Sequence, residues 1–251
     1  MTSPIEIVRD AVADRYAVER ELGQGGMATV YLAQDRRHDR PVALKVLRPE
    51  LAAAIGADRF AREIRLLARL RHPFILPLHD SGEIAGSLYY VMPYVDGESL
   101  GARIGRQGRI PLVEALKYTR EIADALGYAH GEGVIHRDVK PENILISPQG
   151  HALLADFGIA RGGLTAGQQD QLTAIGLAVG TPAYMSPEQV FGQENVSGAS
   201  DIYSLGVTIF EMLAGRPPFV ADVPASIAAQ HVTAPVPSLA SLGVNVPGTV
   251  Q

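Results

Sequence analysis

The run His136-Arg-Asp-Val-Lys-Pro-Glu-Asn143 combines side chains suited to a hydroxyl, a phosphate and a hard cation. Asp138 can accept a hydroxyl proton or orient the hydroxyl. Lys140 can neutralise phosphate charge, and Asn143 offers a neutral oxygen to a cation. Thirteen residues further on stands Asp156-Phe-Gly158, between Ala152–Ala155 and Ile159-Ala160. Asp156 is a second oxygen ligand, suited to magnesium bridging phosphates. Taken alone, an Asp-Phe-Gly triplet is an ordinary charged turn.

Further motifs lie upstream and downstream, each with a bland alternative. Leu22-Gly23-Gln24-Gly25-Gly26-Met27-Ala28-Thr29-Val30 sits between two strand-like runs. Its glycines let backbone N–H groups approach phosphates, although a Gly-rich hairpin is more often just a turn. A strand follows it, not a helix, so it is not a dinucleotide fingerprint. In Val42-Ala-Leu-Lys45, Ala43 and Lys45 share one strand face. The small Ala leaves room for a flat ring and the Lys reaches phosphates; the alternative is a snorkelling surface Lys. Glu63 lies beside the core-like Phe60, Ile64 and Leu67, placed to hold Lys45, whereas a helical Glu is ordinarily a surface residue. Gly180-Thr-Pro-Ala-Tyr-Met-Ser-Pro-Glu188 reads otherwise as a Pro-rich loop, Asp201 as a helix N-cap, and Arg216 as a cation near a helix C-terminus.

The elements that must position these residues fall into two groups. Tyr16–Leu22, Ala28–Ala33, Val42–Leu47, Ile75–Leu78 and Leu88–Val91 read as strands. One helix interrupts them, with Phe60, Ile64, Leu67 and Leu70 at helical spacing, stopping before Pro73. Arg59, Arg62, Arg65 and Arg69 form its solvated face. Beyond Asp96-Gly97 the pattern turns helical. Leu112–His130 carries Val113, Leu116, Ile122 and Leu126 on one predicted face. Asp201–Leu213 is a second apolar helix, ended by Gly215 and Pro217-Pro218. The predicted joint lies near Pro93–Gly97, and a cleft between two lobes is a favoured small-molecule site. The stretch from Thr233 to Gln251, rich in Pro, Val, Ser and Gly, reads as loop.

Bulk properties narrow the function classes. The 251 residues carry a formal net charge of -5, so no global basic field draws nucleic acid. There is no Cys, which excludes a disulfide framework and thiolate metal sites. No apolar signal core opens the chain, and the run Ile202–Leu213 is too short and polar to span a bilayer. The expectation is a soluble chain without membrane contact of its own.

Together, in this order and spacing, the motifs resemble the eukaryotic-type protein kinase family across residues 16 to about 235, and most of all its bacterial receptor-type Ser/Thr members. The bacterial likeness rests on Gly-Gly-Met-Ala-Thr-Val-Tyr and Tyr-Met-Ser-Pro-Glu-Gln. The resemblance implies an α+β, bilobal fold with a β-rich small lobe (16–92), a hinge (93–97) and a larger helical lobe from 98, preceded by an extension over 1–15. It implies γ-phosphoryl transfer from ATP, with Mg2+ or substituting Mn2+, to Ser and Thr of protein substrates. Leu22 to Val30 then cover the phosphates and adenine, and Lys45 pairs with Glu63. Met92 is the gatekeeper and Pro93, Tyr94 and Val95 the hinge, with Ala43 and Leu145 bracketing adenine. Asp138 is the catalytic aspartate, Lys140 its γ-phosphate neighbour, and Asn143 and Asp156 the magnesium ligands. Thr181 contacts Asp138 and Lys140, Glu188 and Arg216 form a buried ion pair, and Asp201 bonds the backbone around His136.

Ser/Thr specificity is suggested by Lys140 two residues after Asp138 and by Gly180-Thr181 ahead of Tyr184. Ala28 replaces a glycine and Pro93 a more usual acidic residue. Pro93 keeps the carbonyl that the resemblance assigns to the adenine amino group. Arg137 ahead of Asp138 implies control by activation-loop phosphorylation, with Thr173 preferred over Thr165 as the autophosphorylation site. The resemblance also suggests homodimers, a cytoplasmic location, and a large lobe whose last helices would follow Gln251. A catalytically weak scaffold and a small-molecule phosphotransferase are the competing readings. Intact Lys45, Glu63, Asp138, Asn143 and Asp156 argue against the first, and Gly180–Glu188 against the second.

Overall fold

The computed structural model describes residues 3–158, 182–193 and 196–247. Its described residues divide into two compact units. One is built from 3–71 and 76–94, the other from 72–75, 95–158, 182–193 and 196–247.

The first unit is an antiparallel sheet of β1 (Tyr16–Gln24), β2 (Ala28–Asp35), β3 (Arg40–Leu47), β4 (Asp80–Ile84) and β5 (Ser87–Pro93), in the order β1-β2-β3-β5-β4. Turn chemistry sets the hairpins. Asp35, buried at the end of β2, accepts the backbone N–H groups of Arg37 and His38 at 3.0 and 3.3 Å and fixes the turn into β3. Ala85 and Gly86 both have positive φ (46° and 80°), as a two-residue turn between β4 and β5 requires. In the ladder Lys45 lies opposite Val30 on one side and Tyr90 on the other, and Ala43 opposite Met92.

A helix α1 (Pro4–Ala11) precedes the sheet and packs on β1. It buries Val8, and Val12 follows it into the same cluster as Tyr16, Val18, Ala33, Leu44 and Val91. Two further helices follow β3: α2 (Pro49–Ile55) and α3 (Ala57–Leu67), joined at Gly56 with φ 77°. On α3 the predicted stripe is observed, with Phe60, Ile64 and Leu67 buried. Arg62 and Arg65 are exposed, as is Arg69 just beyond the helix.

The predicted strand Ile75–Leu78 does not form. Ile75 makes a single bridge to Leu154, and the strand begins only at Asp80. Pro77 explains this, since it lacks an N–H and cannot continue a ladder. The observed β4, Asp-Ser-Gly-Glu-Ile, is a polar edge strand without apolar alternation.

The second unit is mainly helical. A small sheet joins β6 (Glu98–Ser99), β7 (Ile144–Ile146) and β8 (Ala152–Leu154). Around it lie α4 (Leu100–Gln107), α5 (Leu112–Gly131), α6 (Pro187–Val190), α7 (Gly198–Ala214) and α8 (Pro224–Thr233). The helix over α5 forms as predicted, but its buried face differs. Val113 is 81% exposed and Leu116 47%, while Ala115, Tyr118, Ile122, Ala125, Leu126 and Ala129 are buried. Alanines line this face because α5 packs along α7, and small side chains permit close approach.

Helix α7 ends at Gly215 in the left-handed region (φ 78°), ahead of Pro217 and Pro218, as its sequence requires. Its N-cap is Ser197, not Asp201, which lies a turn inside the helix. From 234 to 247 the described residues are loop apart from a 3-10 turn at Ala240–Leu242. Arg109 ties that turn down by donating to the carbonyls of Leu242 and Gly243 at 2.7 and 3.2 Å. Among the described residues, no helix is long and apolar enough to cross a membrane.

Candidate active site

The second unit assembles Asp138, Lys140, Asn143 and Asp156 on one turn and its neighbouring hairpin. After α5 the chain enters the His136–Lys140 turn, then a 3-10 turn (Pro141–Asn143) that leads directly into β7. Asn143 is buried, and its Nδ2 donates to the Asp138 carbonyl at 2.8 Å and to Asp138 Oδ2 at 3.0 Å. That assignment leaves Asn143 Oδ1 as the amide's acceptor for a cation. Lys140 Nζ stands 3.0 Å from Asp138 Oδ2, with both side chains mostly shielded from solvent. A carboxylate is thereby held between an ammonium and an amide N–H and fixed in direction.

His136 is the hub beneath this turn and is fully buried. Its Nδ1 accepts the Asp138 backbone N–H at 3.2 Å and its Nε2 meets the Ala155 carbonyl at 2.9 Å. These partners require the neutral Nε2–H tautomer. Burial pushes the imidazole below its usual range in spite of the nearby Asp201 carboxylate. Three further contacts tie the turn to the Asp156 segment. Gly158 N donates to the His136 carbonyl at 2.9 Å, Ala155 N to the Asn143 carbonyl at 2.9 Å, and the Phe157 ring lies 4.6 Å from the imidazole. Asp156 sits between these anchors with φ 59°, a left-handed conformation that persists only where surroundings enforce it. Within this site Arg137, at φ 67°, shares that left-handed conformation.

Asp201, buried on α7, accepts the backbone N–H groups of His136 and Arg137 at 2.8 and 2.7 Å. It also meets His130 Nε2, from the end of α5, at 2.7 Å. Sequence reasoning did not single out His130, and no local motif marks it. A second missed anchor is Glu121 on α5. It takes the Ala152 N–H and His151 Nδ1, each at 2.7 Å, and so fixes the start of β8.

The Pro182–Tyr184 turn is bound from below by α7. Ser204 Oγ donates to the Tyr184 carbonyl at 2.7 Å, and the Tyr184 hydroxyl donates to Glu211 at 2.5 Å. Burial raises both groups above their ordinary ranges. The expected ion pair between Glu188 and Arg216 is not formed. Arg216 is exposed and, among the described residues, has no ion-pair partner, while the Glu188 carboxylate accepts the Ser200 hydroxyl. Partial burial pushes Glu188 up, but bonds from Ser200, its own backbone and Ser186 hold it below the usual range. A neutral donor at the start of α7 has taken the place assigned to a guanidinium.

The remaining predicted residues are placed as follows. Leu22, Gly23 and Gln24 end β1, and Gly25, Gly26 and Met27 form the connection. Ala28, Thr29 and Val30 begin β2, and Gly25 N closes the hairpin onto the Ala28 carbonyl at 2.9 Å. A Cβ added at Gly23 or Gly26 would meet no atom within 4 Å, so packing within the protein does not demand glycine there. Lys45 is half-buried on β3, its Nζ 5.8 Å from the Tyr90 ring centre. Glu63 is half-buried on α3 in the same unit. Ala43 and Met92 are buried, Pro93 ends β5, Tyr94 and Val95 follow it, and Leu145 is half-buried on β7. Thr165, Thr173 and Thr181 lie outside the described residues.

A family model described as the protein kinase domain matches residues 16–242. The serine/threonine-protein kinase PknB of Mycobacterium leprae is 43% identical over 237 residues, which are 92% of this chain and 37% of that protein. The probable serine/threonine-protein kinase PknB of Lactococcus lactis is 40% identical over 241 residues, 95% of this chain and 38% of that protein. The chain thus spans little more than a third of the length of these relatives. The crystal structure of the Mycobacterium tuberculosis PknI kinase domain superposes with a TM-score of 0.70 at 35% identity, covering 90% of this chain and 80% of that one. Motifs, geometry and relatives agree that this chain belongs to the protein kinase family, as a kinase domain of the serine/threonine type.

Proposed function

We propose that the chain transfers the γ-phosphoryl group of ATP to serine and threonine hydroxyls of protein substrates. The observation that carries this reading is the Asp138 carboxylate, fixed by Lys140 and Asn143 on a turn anchored by Asp201. In the reaction the substrate oxygen bonds to the γ-phosphorus, and the bond from that phosphorus to the β,γ-bridging oxygen breaks. The hydroxyl proton passes toward Asp138, and ADP leaves. Lys140 offsets charge on the transferring group, and catalysis rests on positioning and electrostatics.

Asn143 and Asp156 are hard oxygen donors and suit Mg2+, with Mn2+ as a substitute. A metal held there would supply charge neutralisation to the phosphates. Lys45, held by Glu63, is assigned to the α- and β-phosphates, and Gly23 to Val30 to covering them. The open space around Gly23 and Gly26 supports this, since nothing inside the protein requires glycine there. Ala43, Met92, Leu145 and the backbone of Pro93 to Val95 are assigned to the base, and Thr181 to Asp138 and Lys140. The same reading carries a small lobe over 16–92, a hinge at 93–97, autophosphorylation at Thr173, homodimers and a cytoplasmic location.

The test is phosphate transfer from labelled ATP with magnesium, to the chain itself and to a generic basic protein. It compares wild type with Lys45→Met and Asp138→Asn. Label on serine or threonine in the wild type, lost by orders of magnitude in both variants, is the expected result. Nucleotide binding without transfer in the folded wild type would replace the enzyme with a scaffold.

A further inference from the structure

The carbonyl joining Arg137 to Asp138 is gripped by a side chain from a distant segment. Gln189 Nε2, on α6, donates to the Arg137 carbonyl at 3.0 Å. The other end of the same amide is also used. Gln189 Oε1 accepts the Ser186 backbone N–H at 3.0 Å and the Ser186 hydroxyl at 3.3 Å. This is one half of a capping box, in which Ser186 caps α6 and the residue three positions on reaches back to it.

The two ends of the amide have different chemical requirements. Capping needs only an acceptor, and a glutamate would serve it as well, with added favour from the helix N-terminus. Holding the Arg137 carbonyl needs a donor, which glutamine has and glutamate lacks. The held peptide lies immediately before Asp138, and Arg137 carries the left-handed backbone (φ 67°) that turns the chain into the site. Asp201 holds the N–H of Arg137 at 2.7 Å and Gln189 holds its carbonyl, so the strained residue is fixed at both ends. Such a conformation costs on the order of 1–3 kcal/mol and persists only where its surroundings over-determine it.

We propose that Gln189 is a positioning residue for phosphoryl transfer, setting the direction of the Asp138 carboxylate through the Arg137–Asp138 peptide. This rests on the catalytic role assigned to Asp138 above. It also makes the segment from Ser186 to Gln189 part of the frame of the catalytic turn, although these residues lie about fifty positions away in sequence.

The test is Gln189→Glu, with Gln189→Met beside it, each followed by thermal unfolding, ATP affinity, turnover on a protein substrate, and amide hydrogen exchange of the 135–139 segment. Gln189→Glu keeps the capping acceptor and loses the donor. Its ATP affinity should stay at the wild-type value, with turnover compared well below the unfolding midpoint. Its kcat should fall by about tenfold or more, since small misplacements of a reacting group are costly, and exchange at 135–139 should quicken. Gln189→Met loses both ends and should lose midpoint and kcat together. Should Gln189→Glu fail to fold, Gln189→Met measured well below its midpoint must still show the loss of kcat. Wild-type turnover and exchange in Gln189→Glu would overturn the positioning role while leaving the kinase reading intact. A wild type that binds ATP and transfers nothing would instead remove the kinase reading, and this role with it.

Discussion

Asp201 accepts the backbone N–H of Arg137 at 2.7 Å across 64 positions of sequence. Its second oxygen takes the N–H of His136 at 2.8 Å, so one buried carboxylate satisfies both amides at the mouth of the His136–Lys140 turn. Hydrogen bonds to a charged group contribute roughly 1.5–3 kcal/mol each, and leaving such a group mismatched costs more than replacing it outright. Asparagine at 201 keeps one acceptor but points a donor at an N–H. Asp201→Asn should therefore lower unfolding free energy by about 2–3 kcal/mol and kcat by more than tenfold. Denaturant unfolding and steady-state turnover check this. A change within about 0.5 kcal/mol would place the variant among ordinary surface substitutions and refute the anchor.

Gly97 provides a steric prediction. A Cβ there would lie 2.0 Å from the Ile146 carbonyl oxygen, on β7. The obstacle is backbone and cannot swing aside. Gly97→Ala should destabilise by about 1–3 kcal/mol, as overpacking does. Gly105, inside α4, is the control, because a Cβ at that position meets nothing within 4 Å. Gly105→Ala should be neutral, or stabilising by up to about 1 kcal/mol. Equal unfolding midpoints for the two variants would contradict the close approach.

Protonation gives a third. Burial holds both His136 and His231 below the ordinary imidazole range. His231 is enclosed by the Tyr203 hydroxyl at 2.8 Å and the Phe219 ring at 4.8 Å, with the backbone of Pro182 and Ala183 facing it. For a base with a depressed folded-state value, the unfolded chain binds protons first. Stability is therefore complete above about pH 6.5 and falls as pH drops toward the folded-state values, by at most about 1.4 kcal/mol per pH unit per histidine. His231→Gln should flatten part of that slope. Urea unfolding of both proteins between pH 7.5 and 5.5 measures it, and parallel profiles would remove His231 as a contributor.

Signals that need only neighbouring residues were legible in the chain before it folded. The hairpins around Gly25 and the β3 run follow from turn chemistry and strand periodicity, and the end of α7 at Gly215 from glycine's left-handed freedom. The roles proposed for Asp138, Lys140, Asn143 and Asp156 were drawn from short contiguous motifs for the same reason. Two local readings failed at identifiable points. Pro77 removed a donor from the expected strand at Ile75–Leu78, and counting only large apolar residues on α5 overlooked the alanines that α7 packs against.

What the sequence alone determined, then, is which residue types suit the proposed chemistry and those short elements that local signals define. The tertiary structure decided how they are held. Asp201 could be a helix cap or an anchor, Glu188 could meet Arg216 or Ser200, and Gln189 could serve only its own helix or also grip Arg137. Each choice depends on which groups packing brings within hydrogen-bond reach across distances of 12 to 65 residues. Hydrogen bonds act over about 3 Å of space, and no local periodicity encodes which distant donor will arrive there.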